Sequence, residues 1–194
     1  MDPKIRCWWC GDDELYQQYH DQEWGRPVKD EQRLFEMLIL EGVQAGLSWI
    51  TVLRKRAHYR KVFHNFNINK VAKMSDAELE ALLLDPGIIR NRLKVFATRK
   101  NAHAFIEVQK EFGSFSHYIW GFVDHVPVIS GVKNKHEIPA KTELSDQISK
   151  DLKKRNFTFI GSTIIYAYMQ ATGMVNDHLQ NCFCYADLQS QNKD

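Results

Sequence analysis

The stretch EQRLFEMLILEGVQAGLSW, residues 31–49, decides the fold class of this chain. Leu34, Leu38 and Glu41 recur at the three- and four-residue spacing that places side chains on one face of an α-helix. Gly42 and Gly46 bracket the break at which this helix ends. The pattern therefore predicts a mainly apolar helix that carries an acid, Glu41, at its exit.

A second helix is predicted to follow the break. Ser48 is placed to cap its first turn, because a serine hydroxyl accepts hydrogen bonds from the free backbone N–H groups of a helix start. Ile50, Leu53, Ala57 and Phe63 recur at roughly helical spacing and predict the buried face. The basic residues of this segment are then expected to point away from the core.

The rest of the chain also shows helical signals. Ser75 and Glu78 form a capping-box pair that predicts a short helix through Leu84, which the turn at residues 85–87 must end. Further helices are predicted over residues 88–113, 116–123, 142–155 and 162–172, the last closed by Gly173, with an ordered surface loop at 124–141. The prediction is an all-α bundle of about seven to nine helices that forms one domain over residues 1–194.

The composition is that of an ordinary globular protein. Apolar residues make up 44% and charged residues 26% of the 194 positions, and no run approaches the ~18 consecutive apolar residues that span a bilayer. The first residues, MDPKIRCWWCGDD, lack the apolar core of a secretory signal. We therefore expect a cytoplasmic monomer with no membrane partner.

The net charge of +2 hides an uneven distribution of charges. Acidic residues prevail up to residue 31, whereas basic residues cluster at 54–61 and at 90–100. Such clusters fit a polyanionic partner, and they fit equally well helix faces that are merely solvated.

Potential metal ligands stand near both ends of the chain: Cys7, Cys10, His20, His178, Cys182 and Cys184. A disulfide framework is disfavoured in a cytoplasmic chain of this length, whereas zinc bound by thiolates and imidazoles would tie the two ends together. The ligands are either the four cysteines or a mixed set of two cysteines and two histidines. The H-x3-C spacing of His178 and Cys182 favours the mixed set. The alternatives are buried structural cysteines and a C-x-x-C redox pair, and the latter lacks its usual βαβ context.

Aromatic residues are concentrated in the first fifty positions: Trp8, Trp9, Tyr16, Tyr19, Trp24 and Trp49. Any single ring of this kind is more often core packing than part of a binding site. Glu41 changes the interpretation, because a carboxylate in the apolar run MLILEG is costly to bury unless it is used. The alternatives are a solvated helix end and an acid satisfied by backbone donors.

Four segments together resemble the Tag family of DNA-3-methyladenine glycosylases: YHDQEWG at 19–25, EGVQAGLSWITVLRKR at 41–56, DPGIIRNRLK at 85–94 and VNDHLQNC at 175–182. The resemblance spans nearly the whole chain. It implies a bacterial-type enzyme with a helix-hairpin-helix glycosylase fold. Such an enzyme hydrolyses the N-glycosidic bond of 3-methyladenine in alkylated double-stranded DNA, with 3-methylguanine as a second candidate substrate. It releases the free base and leaves an abasic site for base excision repair.

The resemblance also implies roles for individual residues. A structural zinc would be bound by Cys7, His20, His178 and Cys182. A base pocket would be formed by Trp9, Tyr16, Tyr19, Glu41 and Trp49, with Trp49 stacking on the damaged base and Glu41 as the catalytic residue. Because the lesion is cationic, aromatic faces and a carboxylate would both attract it.

Contacts with DNA are expected from two places. At the hairpin, Gly87 would offer backbone N–H groups to a phosphate, with Arg90 and Lys94 adding positive charge. At the break after Glu41, Leu47 would wedge into the duplex and Gly46 would permit close approach, although Leu47 is equally explained as a core residue. Asp124 is a weaker candidate for a catalytic acid, since the resemblance gives it no role.

Two other functions compete with the glycosylase. A zinc hydrolase or deaminase would need an open coordination position, and the deaminase motif H-x-E with P-C-x-x-C is absent from the sequence. A non-catalytic DNA-binding module would need the hairpin and basic helices, but neither the buried Glu41 nor its aromatic neighbours.

Overall fold

The computed structural model describes residues 4–190, so the ends of the predicted domain, residues 1–3 and 191–194, lie outside the described residues. The described part contains ten α-helices: α1 (Glu14–Gln22), α2 (Glu31–Gln44), α3 (Trp49–Val62), α4 (Ile68–Ala72), α5 (Asp76–Leu82), α6 (Arg92–Phe112), α7 (Phe115–Gly121), α8 (Glu143–Lys154), α9 (Ser162–Ala171) and α10 (Phe183–Ser190). Short 3₁₀ helices lie at Trp8–Cys10, His64–Phe66 and Lys135–Glu137. The all-α prediction is confirmed, and the predicted number of helices is too low because α1, α4 and α10 lack a long apolar period.

Helix ends follow from local side-chain chemistry. The predicted capping box is confirmed, since Glu78 N donates to Ser75 Oγ at 3.2 Å while Glu78 Oε2 accepts from Ser75 N at 2.7 Å. Gly173 follows α9 with φ +70°, as predicted, and a Cβ there would lie 2.3 Å from the backbone of Arg26. Glycine is therefore required at this position by both conformation and space.

The helix after the hairpin begins later than predicted. α6 begins at Arg92 rather than at residue 88, because Asn91 caps it and accepts a hydrogen bond from Lys94 N at 3.1 Å. Residues 88–91 therefore form a non-helical link, and this places Arg90 on an exposed turn instead of on a helix face.

The predicted buried face of α3 is partly wrong. Ala57 is exposed, whereas Arg56 is buried and donates from Nε to Glu36 Oε1 at 2.7 Å and from Nη1 to Glu23 Oε2 at 2.9 Å. Two acids from other elements thus hold this arginine in the core, so not all basic residues of α3 point to solvent. Ser48 does precede α3, but its hydroxyl pairs with Thr51 Oγ1 at 2.7 Å and does not cap the backbone.

The loop predicted at residues 124–141 contains a strand. Strand β1 (Val128–Ile129) pairs in parallel with β2 (Val175–Asn176), which follows α9. This short sheet anchors the loop beside the segment that leads to His178.

Helix α2 lies at the centre of the core. Its residues 34–43 are all buried, and it packs against α3, α6, α7 and α9. Glu41 and the break after it are therefore held by several helices. Within residues 4–190, no helix combines the length and the apolar character that a bilayer crossing needs.

Candidate active site and metal centre

Four side chains from the two ends of the chain meet in one buried group, here called the metal cluster: Cys7, His20, His178 and Cys182. Their ligand atoms all lie within 4.8 Å of one another. His20 lies in α1, whereas His178 and Cys182 lie between β2 and α10. The cluster therefore joins α1 and the segment before it to the segment between β2 and α10.

The dimensions of the metal cluster fit a tetrahedral ion. Zinc at about 2.3 Å from sulfur and about 2.0–2.1 Å from nitrogen sets each sulfur about 3.5 Å from each nitrogen. The distances from Cys7 Sγ to His178 Nδ1, from Cys182 Sγ to His20 Nε2 and from Cys182 Sγ to His178 Nδ1 are each 3.5 Å. Donor types and spacing both match a closed four-ligand site.

The second nitrogen of each imidazole also has a partner. His20 Nδ1 lies 2.8 Å from Asp21 Oδ1, and His178 Nε2 lies 3.1 Å from the carbonyl oxygen of Trp24. Each acceptor fixes the N–H on the outer side of its ring, so the lone pair of the other nitrogen faces the sulfurs. This is the outer hydrogen bonding that metal-binding histidines usually show.

The other two cysteines lie outside the metal cluster. Cys10 donates its thiol to the carbonyl oxygen of Cys7 at 3.2 Å, and Cys184 lies 3.9 Å from the carbonyl oxygen of His20. The fold thus brings together the mixed set and not the four cysteines.

A cavity of about 240 Å³, here called the aromatic cavity, lies directly beside the metal cluster. It is lined by Trp8, Trp9, Tyr16, Tyr19, Trp24, Glu41, Gln44, Trp49, Ile138, Ala167 and Gln170. The volume lies below the ~300–1,000 Å³ of sites for drug-sized ligands, which suits a single purine. Trp9 and Trp24 separate the cavity from the cluster, with ring centroids 5.2 Å from His20 and 4.6 Å from His178 respectively.

Glu41 is the acid of the aromatic cavity. Its side chain is only 4% exposed, and burial raises the pKa of its carboxyl from 4.5 to about 8. Among the described residues, the Glu41 side chain has neither a salt-bridge partner nor a hydrogen-bond partner. A buried acid without a partner is a costly arrangement, which is typical of a functional group awaiting its ligand.

The predicted aromatic residues surround this acid. Trp9 packs on Tyr16 with ring centroids 4.9 Å apart, and Tyr19 packs on Trp49 at 5.3 Å. The indole nitrogens of Trp9 and Trp49 are buried without a partner within the described chain. Burial also raises the pKa of Tyr16 to about 12, so its hydroxyl stays protonated. The cavity therefore offers apolar ring faces and one acid.

The break after Glu41 exposes the predicted wedge. Gly46 has φ +81°, and Leu47 is 38% exposed, which excludes Leu47 as an ordinary core residue. Lys94 Nζ donates to the carbonyl oxygens of Val43 at 2.8 Å and Ala45 at 2.6 Å. The lysine predicted for phosphate contact thus holds the end of α2 in place.

The hairpin turn is braced by His58, a residue that sequence reasoning missed. Asp85 accepts from Gly87 N at 2.7 Å through Oδ1, and its Oδ2 lies 2.7 Å from His58 Nε2. A Cβ at Gly87 would lie 2.3 Å from the His58 ring, so glycine is needed there for close packing. Arg90 is exposed just beyond this turn.

Several cavity residues lie outside the predicted set: Trp8, Trp24, Gln44, Ile138, Ala167 and Gln170. Trp8 and Trp24 belong to the aromatic concentration near the N-terminus and could have been included. Gln170 and Ala167 lie in α9, and the sequence carries no local signal for them. Asp124, the weaker acid candidate, is exposed and does not line the aromatic cavity.

Comparison with known proteins identifies the family. The methyladenine glycosylase family matches residues 9–185. The DNA-3-methyladenine glycosylase of Haemophilus influenzae is 50% identical over 179 residues, which cover 92% of this chain and 97% of the relative. The chain therefore belongs to the methyladenine glycosylase family.

Two solved structures share the fold. A crystal structure of a 3-methyladenine DNA glycosylase I has a TM-score of 0.91 and 49% identity, covering 93% of this chain and 100% of that one. A variant of a 3-methyladenine DNA glycosylase I in complex with 3-methyladenine has a TM-score of 0.90 and 32% identity, covering 92% and 96%.

Proposed function

We propose that this protein excises 3-methyladenine from alkylated double-stranded DNA by hydrolysing the N-glycosidic bond, as a DNA-3-methyladenine glycosylase I. The products are free 3-methyladenine and an abasic site, which base excision repair then processes. The observation that carries the proposal is the buried Glu41 carboxyl, which lines a cavity of aromatic rings and has no partner among residues 4–190.

The aromatic cavity suits a cationic base. Alkylation at N3 leaves adenine positively charged within DNA, so ring faces attract it through cation–π contact and a carboxylate attracts it directly. We assign stacking to Trp49, with Trp9, Tyr16 and Tyr19 as the walls. Unmodified adenine is neutral and gains less from both interactions, which is the basis of discrimination.

The same charge simplifies the chemistry. A cationic base departs neutral, so no side chain needs to protonate it. The carbon–nitrogen bond breaks, its electron pair leaves with the base, and water adds to the sugar carbon and releases its proton to solvent. Glu41 contributes by recognising the base and by stabilising positive charge in the low-dielectric surroundings of the cavity. Because no lysine is among the side chains that line the cavity in the described chain, we expect no Schiff-base intermediate.

We assign the DNA contacts to the surfaces beside the aromatic cavity. Leu47 would fill the gap left by the extruded nucleotide, with Gly46 allowing close approach of the backbone. Arg90 would contact a phosphate at the hairpin, and Lys94 would support the same surface. The backbone N–H of Gly87, predicted for the same contact, is already bound to Asp85 Oδ1 at 2.7 Å, so Gly87 would contribute only close packing of the turn. The exposed position of Leu47 and Arg90 supports this assignment.

We further propose that the metal cluster binds a structural zinc ion through Cys7, His20, His178 and Cys182. When bound, zinc supplies a cross-link between the two ends of the chain. Four protein ligands leave no open position for water, which argues against a zinc hydrolase or deaminase.

The decisive experiment measures free bases released from methylated duplex DNA by chromatography. Wild-type protein should release 3-methyladenine, and the variants Glu41→Gln and Trp49→Ala should release much less while keeping fold and metal content. Folded wild-type protein that binds methylated DNA without releasing a base would instead indicate a DNA-binding module.

A further inference from the structure

Gln170 lines the aromatic cavity but has no role in the mechanism above. It is the penultimate residue of α9, and its backbone carbonyl oxygen accepts a hydrogen bond from Gly25 N at 2.9 Å. Both the helix and this bond fix the position of its backbone. Its carboxamide is therefore a polar group held at the wall of the cavity.

The carboxamide is held by a buried aspartate. Asp177 is fully buried, and its Oδ2 atom accepts from Gln170 Nε2 at 2.7 Å and from Tyr166 Oη at 2.6 Å. Tyr166 and Gln170 lie one helical turn apart on α9, while Asp177 follows β2. The chain turns back after α9, and this places the acid against both side chains.

The chemistry of this contact fixes the orientation of the amide. A carboxylate can only accept hydrogen bonds, so it must face the NH₂ group of Gln170 and not the oxygen. Rotating the amide by 180° would place two acceptors together in a buried environment, which is costly. Oε1 of Gln170 therefore points away from Asp177.

That oxygen remains available to a ligand. Within residues 4–190 the Gln170 Oε1 atom has no hydrogen-bond partner, and it is not among the fully buried unpartnered atoms. Since the residue lines the aromatic cavity, the accessible oxygen is a hydrogen-bond acceptor for a bound base.

We infer that Gln170, oriented by Asp177, is a specificity-determining residue that selects 3-methyladenine over 3-methylguanine by presenting an acceptor to position 6 of the purine. The inference rests on the proposed function. Adenine carries an amino donor at this position, whereas guanine carries a carbonyl acceptor. The locked amide thus binds the first base and repels the second.

Glu41 alone would discriminate less well. A carboxyl accepts from an amino group when ionised and donates to a carbonyl when protonated, so it can adapt to either base. The amide of Gln170 has no such freedom while Asp177 holds its NH₂ group. Selection therefore belongs to the pair of Gln170 and Asp177 rather than to the acid.

The test compares release of 3-methyladenine and 3-methylguanine from the same methylated duplex DNA. Gln170→Leu removes the acceptor, and Asp177→Asn allows the amide to rotate because asparagine can also donate. Each variant should lower the ratio of the two rates by about tenfold. The matched control is Tyr166→Phe, which removes the other hydrogen bond to Asp177 and should leave the ratio within about twofold, since the amide keeps its partner.

Metal content and circular dichroism establish that each variant is folded. An unchanged ratio in folded Gln170→Leu would overturn the inference even if Asp177→Asn did not fold. A ratio that fell equally in Tyr166→Phe would overturn it too, because any loosening of α9 would then suffice. A wild-type protein that released neither base would refute the proposed function itself, whereas release with an unaffected ratio would refute only the role of Gln170.

Discussion

The metal cluster and the aromatic cavity share a wall of tryptophans but differ in how their polar groups are satisfied. In the cluster, the outer nitrogens of His20 and His178 both have acceptors, and the inner atoms face one another at the distances that zinc needs. In the cavity, Glu41 and the indole nitrogens of Trp9 and Trp49 have no partner within the described residues.

This difference distinguishes a structural site, the metal cluster, from a functional site, the aromatic cavity, although the two are adjacent. Buried polar groups in proteins are nearly always paired, so an unpaired acid that lines a cavity marks where a ligand supplies the missing interaction. The satisfied cluster should therefore govern stability and the unsatisfied cavity should govern activity.

The largest expected effect is loss of the metal. Removing zinc with a chelator, or substituting Cys182→Ser, should lower the free energy of unfolding by several kcal/mol, because the ligands would remain buried without their ion. Thermal unfolding and metal analysis measure this. Cys10→Ser is the control, as a buried cysteine outside the cluster should have a small effect. Equal destabilisation by both substitutions would indicate that Cys10 is also a metal ligand, as in the alternative set of four cysteines.

Next in size is Glu41→Gln, which should reduce the rate of base release by about 10²–10³-fold, the scale of losing one preorganised electrostatic group. The neutral isostere keeps the shape of the site but cannot lose a proton, whereas a bound cationic base lowers the raised pKa of Glu41 and favours its carboxylate form. Single-turnover kinetics on methylated duplex DNA measures the loss. Retention of most of the activity would mean that the rings alone suffice.

Glu41→Gln should also change how the free energy of unfolding depends on pH. Because burial raises the pKa of Glu41 from 4.5 to about 8, the folded state holds a proton that the unfolded chain loses between these values. The free energy of unfolding should therefore fall as pH rises through this window, by at most about 1.4 kcal/mol per pH unit from this group. Glu41→Gln should remove that slope, and chemical denaturation from pH 5 to 8 measures it. A slope in the variant as steep as that of the wild type, or steeper, would contradict the burial argument.

The sequence predicts only part of this difference between the metal cluster and the aromatic cavity. Spacing favours the mixed ligand set because His178 and Cys182 are close in the chain, and Glu41 stands out as an acid within an apolar run. Gln170 carries no such signal, since its importance depends on Asp177, which reaches it only after the chain turns. Individual roles such as stacking by Trp49 came from the family resemblance and not from physical pattern.

Charged residues were harder to interpret than apolar ones. Arg56 resembles its exposed basic neighbours in sequence, yet Glu36 and Glu23 bury it from other elements. Glu36 does stand in the apolar run LFEML, which signals that an acid there needs a cationic partner. The identity of that partner is a property of helix packing, which no local window contains.

A smaller effect is expected from Lys94, whose amino group is already bound to the carbonyl oxygens of Val43 and Ala45. Lys94→Met should lower the rate of base release by about tenfold at saturating DNA, because the wedge loop would lose its support. Lys100→Met is the control, since it removes the same charge from an exposed position on α6. If both variants weakened DNA binding equally and kept the saturated rate, Lys94 would act as a simple phosphate contact.

The smallest expected effect concerns two nearby exposed arginines, of which one has an ion-pair partner and the other has none within the described residues. Arg90 has no ion pair within residues 4–190, whereas Arg92 is paired with Glu80 and stacks on Phe96. Arg90→Ala should weaken binding to any duplex several-fold and reduce the magnitude of the slope of log K against log salt by about one, the signature of one lost phosphate contact. Arg92→Ala should reduce the slope less, because Glu80 competes with a phosphate for its guanidinium. Fluorescence anisotropy across a salt series measures both slopes. If Arg92→Ala reduced the slope and Arg90→Ala did not, the phosphate contact would belong to Arg92 despite its ion pair.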